Sequence, residues 1–163
     1  MLTGIGIMVL TFVAMEAVAW ATHKYVLHGF MWFLHKSHHT RHQHTFELND
    51  LFFAYYGMLA MLFFIFGESP LDYRFWIGAG ITLYGVAYFL IHDVFIHRRI
   101  KLFGKTSNKY LRALNIAHKV HHKVNQRDGS ESFGMLWVAP RYFQSASKSI
   151  RKQKQINRGS LLN

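Results

Sequence analysis

The chain has no cysteine, which rules out disulfides, thiolate-ligated zinc and cysteine-held iron–sulfur clusters together. Acids are scarce as well, with 8 Asp and Glu against 19 Lys and Arg. No HExxH stretch occurs, so an intramembrane zinc protease finds no motif here. Glycine-rich phosphate loops are missing, and so is a serine elbow with the partners of a nucleophilic triad. Charge is missing from three long apolar runs: Leu2–Ala21 holds a single charge, Glu16, and Leu51–Gly67 and Phe75–Ile91 hold none. The 163 residues leave room for one domain.

Apolar runs of this length without a polar face predict bilayer-spanning helices. Ala17-Val18-Ala19 resembles a signal-cleavage site, but no basic segment precedes the run, so it is expected to be a retained span. Nine Lys and Arg and no acid lie between Arg98 and Arg127, and six more, again without an acid, follow from Arg141. Lys and Arg favour the cytoplasmic side, which predicts a cytoplasmic C-terminus with the N-terminus and the 68–74 loop outside. The basic excess is then topological and does not point to nucleic acid. The expected fold is an all-α, multi-pass integral membrane helix bundle with three spanning helices and a cytoplasmic histidine-rich helical cap. Ser107 or Asn108 is expected to cap a helix reaching about Val124. FGMLWVAPRYF at 133–143 reads as an aromatic interfacial segment ended by Pro140. Residues 144–163 read as a basic, mobile tail able to rest on anionic lipid.

Histidine is what the chain has in quantity. All 12 histidines lie in His23–His44 or His92–His122, and ten of them repeat one pattern. Each copy has two histidines separated by four residues, then a histidine, two residues and a histidine pair. The first copy is His23, His28, His35, His38 and His39; the second is His92, His97, His118, His121 and His122. Imidazole is a common metal ligand, and five per copy exceeds what one ion usually takes, so two metals are expected.

A histidine followed at i+3 and i+4 puts all three rings on one helical face. The i, i+5 pair is harder to place, because its rings lie about 140° apart on an ideal helix. Either the helix breaks between them or they serve different metals; Gly29 suggests a break in the first copy. His42, seven residues beyond His35, shares its face and is a candidate ligand or supporting donor, whereas His44 points away. Glu16, an acid inside a span, and Asp93, beside His92, are further candidates to support the metal site. All-imidazole ligation suits iron, copper or zinc; oxygen chemistry on a lipid-dissolved molecule favours iron, since zinc offers no redox chemistry.

HKYVLHG, HKSHH, FELNDL, the run GAGITLYGVAYFLIHDVFIHRR, and AHKVHH followed by SFG together resemble the membrane di-iron hydroxylases of the fatty-acid hydroxylase superfamily, most closely its bacterial carotenoid-hydroxylating members. The resemblance covers about His23 to Phe143. It implies a membrane-embedded hydroxylase domain over 1–143, with the ten histidines as iron ligands and no catalytic residue beyond them. It also implies two non-haem irons, O2 as co-substrate and electrons from reduced ferredoxin. The implied reaction is C3 hydroxylation of the β-ionone ring, taking β-carotene via β-cryptoxanthin to zeaxanthin at the bacterial inner membrane, with the histidine site on the cytoplasmic side. A superfamily hydroxylase or desaturase acting on an acyl chain, a sterol or another carotenoid is the alternative. A metal-binding membrane protein without activity also stays open.

Overall fold

The computed structural model describes residues 1–40, 46–67, 72–102, 104 and 106–159. Helix α1 (Leu2–Ala21) runs directly into a π-helical segment, Thr22–Phe30. There follow α2 (Trp32–His39), α3 (Asp50–Phe66) and α4 (Tyr73–Tyr88), and α4 again passes into a π-helical segment, Phe89–Ile96. Helices α5 (Lys109–His121) and α6 (Pro140–Gly159) complete the order; the described residues contain no strand.

Helix α4 is the centre of the apolar layer, packed by α1 on one side and α3 on the other. Glycines allow the close approach. A Cβ on Gly80 would stand 2.6 Å from the Met8 carbonyl oxygen, and one on Gly78 would stand 3.0 Å from that of Ala60. Helices α1 and α4 run in register: Thr11 meets Gly80, the Tyr84 hydroxyl reaches Glu16, and the same register brings His23 level with His92. Met15, Ala60, Ile81 and Tyr84 close the core of this layer.

Two helical stretches, Leu2–Phe30 and Tyr73–Ile96, are long and apolar enough to cross a membrane. The third expected span, α3, has 17 residues. At about 1.5 Å per residue it is a few ångströms short of a hydrocarbon core of about 30 Å. Large apolar side chains face outward along these helices, among them Val9, Leu10, Val13, Met58, Met61 and Ile65.

Helices α5 and α6 form a second layer, whose core joins Phe95, Ala113, Leu114, Ala117, Tyr142 and Ala146. Helix α5 starts where its cap predicts: the Asn108 side-chain oxygen accepts from the Leu111 N–H at 3.1 Å. Helix α6 takes in most of the stretch after residue 143 that reads as a tail. Pro140 does not end an element; it opens one, because proline fits the first turn of a helix, where its missing N–H has no partner to lose. Tyr142 and Ala146 then turn inward onto α5 while Arg151, Lys152 and Lys154 stay exposed.

Candidate metal centre

The i, i+5 spacing is resolved by π-helical geometry rather than by a break between the paired histidines. A π turn closes through an i→i+5 hydrogen bond, so residues five apart return to the same face. The second pair makes this bond itself, His97 N–H to the His92 carbonyl at 2.8 Å. In the first copy the non-helical residue is Gly29 (φ −108°, ψ −126°), which lies after His28 and turns the chain into α2. Arg98, in the left-handed region at φ 57°, ends the second π segment.

The rings gather into two groups, but the groups do not coincide with the two sequence copies. His23, His28, His35 and His39 of the first copy are joined by His121 of the second. His92, His97 and His118 of the second copy are joined by His38 of the first. His122 belongs beside this second group, its ring 4.4 Å from His118, 4.7 Å from His38 and 5.0 Å from His97. Each copy thus keeps four histidines and gives its fourth to the other. The helical reading explains the split. On α2, His38 and His39 lie on one broad face but about 100° apart, so they reach to either side.

The donor set fits a bound cation. His23, His28, His39 and His121 each place Nδ1 against a backbone carbonyl, of Phe133, Arg127, Val124 and Glu131 respectively, at 2.7–2.9 Å. His38 Nδ1 faces Glu47 at 2.8 Å, His92 Nδ1 faces Asp93 at 3.3 Å, and His35 Nδ1 faces the Asn49 side-chain oxygen at 2.7 Å. An oxygen of these kinds accepts, so the proton sits on Nδ1 and each Nε2 carries a lone pair. Yet these Nε2 atoms face one another, His23 to His35 at 3.0 Å, His28 to His39 at 3.1 Å and His38 to His92 at 3.1 Å. Lone pair against lone pair repels unless a cation lies between them. Neighbouring nitrogens about 2.1 Å from a shared ion stand about 3 Å apart, which is this spacing. The buried Nε2 of His122 has no hydrogen-bond partner and is a further free donor.

Burial holds three of these rings neutral against the hydrogen bonds that favour their charged form. It lowers His35 to about 2, His121 to about 3 and His39 to about 4, so these rings are unprotonated and able to ligate at neutral pH.

The two groups are supported differently. Four of the first group lean on carbonyls of residues 124–133, a strap between α5 and α6. The second group leans on Glu47 and Asp93, and Arg99 bridges these carboxylates, 3.4 Å from Glu47 and 3.1 Å from Asp93, with Asp50 at 2.9 Å. Asp93 therefore touches a ring, as its place beside His92 suggests. Glu16 touches none. Its Oε1 accepts from the N–H groups of Met135, Leu136 and Trp137, each at 2.9 Å, and its Oε2 accepts from Tyr84 at 2.8 Å. It anchors the strap whose Phe133 carbonyl orients His23. His42 lies outside the described residues. Glu47, Asn49 and Arg99 are supports that the spacing of the histidines did not reveal; the concentration of polar residues in FELND, next to an apolar run, was the available signal.

An apolar cavity of about 280 Å3 opens beside the centre, with His23, His35 and His92 in its wall and Leu27, Phe53, Ile81 and Phe89 among its apolar lining.

Residues 8–144 match the family model described as fatty acid hydroxylase. A protein named beta-carotene hydroxylase from Pseudescherichia vulneris is 40% identical over 138 residues, covering 85% of this chain and 78% of that protein. One of the same name from Pantoea ananas is 38% identical over 134 residues, 82% of this chain and 77% of that protein. A chloroplastic beta-carotene 3-hydroxylase from Haematococcus lacustris is 38% identical over 75% of this chain, which spans 39% of it. No solved structure matches.

Proposed function

The chain belongs to the fatty acid hydroxylase family, and from that premise we propose that it hydroxylates C3 of the β-ionone ring, converting β-carotene via β-cryptoxanthin to zeaxanthin. The observation that carries this reading is the apolar cavity with histidines of both groups in its wall. Its volume is at the lower edge of the roughly 300–1,000 Å3 usual for ligand pockets. A C40 carotenoid would therefore enter by one terminal ring and leave its polyene outside, among the lipids.

His23, His28, His35, His39 and His121 would hold one iron, and His38, His92, His97, His118 and His122 the other. Bound iron supplies the O2 chemistry that attacks an unactivated C–H bond, for which zinc has no redox state. In the overall reaction the ring C–H and the O–O bond break and C–O and O–H bonds form. Two electrons from a reduced ferredoxin-type donor and two protons from solvent turn the second oxygen atom into water. The protein's part is to keep water out with the apolar wall, to hold the ring against His23, His35 and His92, and to lock each ligand's tautomer through Nδ1. The exposed cations of α5 and α6 would receive an acidic electron donor.

We also propose the three-span topology, with α3 as a short span and both histidine regions at the cytoplasmic face of a bacterial inner membrane. Helix α3 is uncharged after Asp50 and packs along α4, and the basic residues lie beyond Arg98. Reporter fusions after Asn49 and at Asn163 should report cytoplasm, and a fusion within 68–74 the opposite side. A cytoplasmic 68–74 signal would sink the three-span arrangement while leaving the metal centre intact.

Co-expression with β-carotene synthesis tests the activity. Pigment extracts should gain β-cryptoxanthin and zeaxanthin, oxygen-dependently. Unchanged β-carotene beside a newly hydroxylated or desaturated acyl lipid would move the substrate to another lipid class.

A further inference from the structure

Among the polar side chains lining the cavity, one is left over. Thr22 and Tyr56 share a hydrogen bond at 2.7 Å, and the Tyr84 hydroxyl is taken by Glu16. Asn49 holds His35, and Asp50 and Asp93 are paired with Arg99. His23, His35 and His92 belong to the metal groups. Tyr88 also lines the cavity, and among the described residues its hydroxyl has no hydrogen-bond partner. Tyr88 sits one helical turn before His92, with its ring 4.8 Å from the His92 ring and tilted by 31°, so it stands where the cavity meets the second histidine group. With no such partner, this hydroxyl is free to bond a polar atom of whatever occupies the cavity.

A hydrocarbon ring offers this hydroxyl nothing to bond. The alcohol formed from that ring does: its new oxygen accepts a hydrogen bond. We propose that Tyr88 is a product-binding residue whose O–H donates to the oxygen of the newly hydroxylated ring; this rests on the carotenoid reading above. The cavity then discriminates between the unsubstituted ring and its alcohol through one atom, while the apolar wall treats them alike.

Tyr88→Phe removes that atom and keeps the ring against His92. Iron-loaded protein in detergent micelles, without reductant, is titrated with β-carotene and with zeaxanthin while the polyene absorbance is followed. Tyr88→Phe should bind β-carotene as the parent protein does and zeaxanthin roughly three- to tenfold more weakly, the loss expected for one neutral hydrogen bond. Its iron content should not change. Tyr88→Leu, which also removes the ring, should weaken both pigments. Equal zeaxanthin affinity for Tyr88→Phe and the parent would overturn the assignment to Tyr88 alone. A parent protein that binds neither pigment would overturn the carotenoid reading, and this proposal with it. Iron loss in Tyr88→Phe would also overturn it, by making the phenol a support of the metal group.

Discussion

His121→Ala and His38→Ala should each abolish turnover, to below about 1% of the parent, and each should deplete a different histidine group from the one its sequence neighbours build. Metal analysis of the active parent should give two irons per chain; each variant should retain about one. The reason is the exchange between copies. His121 lies against His28 and His23 of the first group, at 4.9 Å and 4.4 Å between ring centroids, and His38 lies 4.8 Å from His92 in the second. Removing a ligand leaves the remaining Nε2 lone pairs facing one another with a weaker ion between them. Changes to supporting groups alone cost about 10–100-fold in metal affinity, so losing a ligand itself should cost at least that much. A His121→Ala protein that lost metal from the second group, as spectroscopy of the retained iron would reveal, would contradict the exchange. Two irons per chain in either variant would do the same.

Glu16→Ala should be the most destabilising change away from the histidines. One carboxylate oxygen takes three successive backbone N–H groups, and the other takes the Tyr84 hydroxyl. Trp137 is 82% exposed, so its N–H can turn to other partners. The Met135 N–H and the buried Tyr84 hydroxyl cannot do so easily, and each unpaired donor costs about 1–3 kcal/mol. A loss of about 3 kcal/mol lowers the unfolding midpoint of a chain this size by roughly 10 °C. Glu16→Gln keeps one accepting oxygen for the three N–H groups and turns an NH2 donor toward the Tyr84 oxygen, which can accept, so it loses only the carboxylate charge and its midpoint should fall by less than half as much. The strap carries the Phe133 carbonyl that orients His23, so Glu16→Ala should also lose iron on dialysis sooner than Glu16→Gln. A Glu16→Ala midpoint equal to the parent's would show that the strap holds without its anchor.

The ten histidines, the uncharged runs and the Asn108 cap were legible because each depends on residue type at fixed spacing. The distribution of rings between two groups was not, since it depends on which way α2 and α5 face each other. The i, i+5 pairs were read against a straight α-helix, and on that premise they had to be split; π turns remove the premise, and apart from this spacing they leave no compositional mark. The strap was hidden for a different reason. Its ligand-orienting groups are the carbonyls of Arg127, Glu131 and Phe133 and of Val124, which every residue possesses. Glu16 was conspicuous as an acid in an apolar run, but its partners are backbone amides more than a hundred residues away. In α6 the polar composition concealed a narrow inward stripe through Tyr142 and Ala146, and Pro140 was read as a stop when it is a start.

The exchange of His38 and His121 also sets a clock on biosynthesis. A nascent chain that has emerged only as far as His39 already carries four of the five histidines of the first group, and it must wait for the whole of α5 before His121 arrives. The second group waits equally, because His118 and His122 flank that same residue. Neither half of the chain can mature alone, and both sites become complete within a few residues of synthesis of each other. On the proposed two-iron reading, metal delivery would therefore be a late, single event, after the apolar helices have been made.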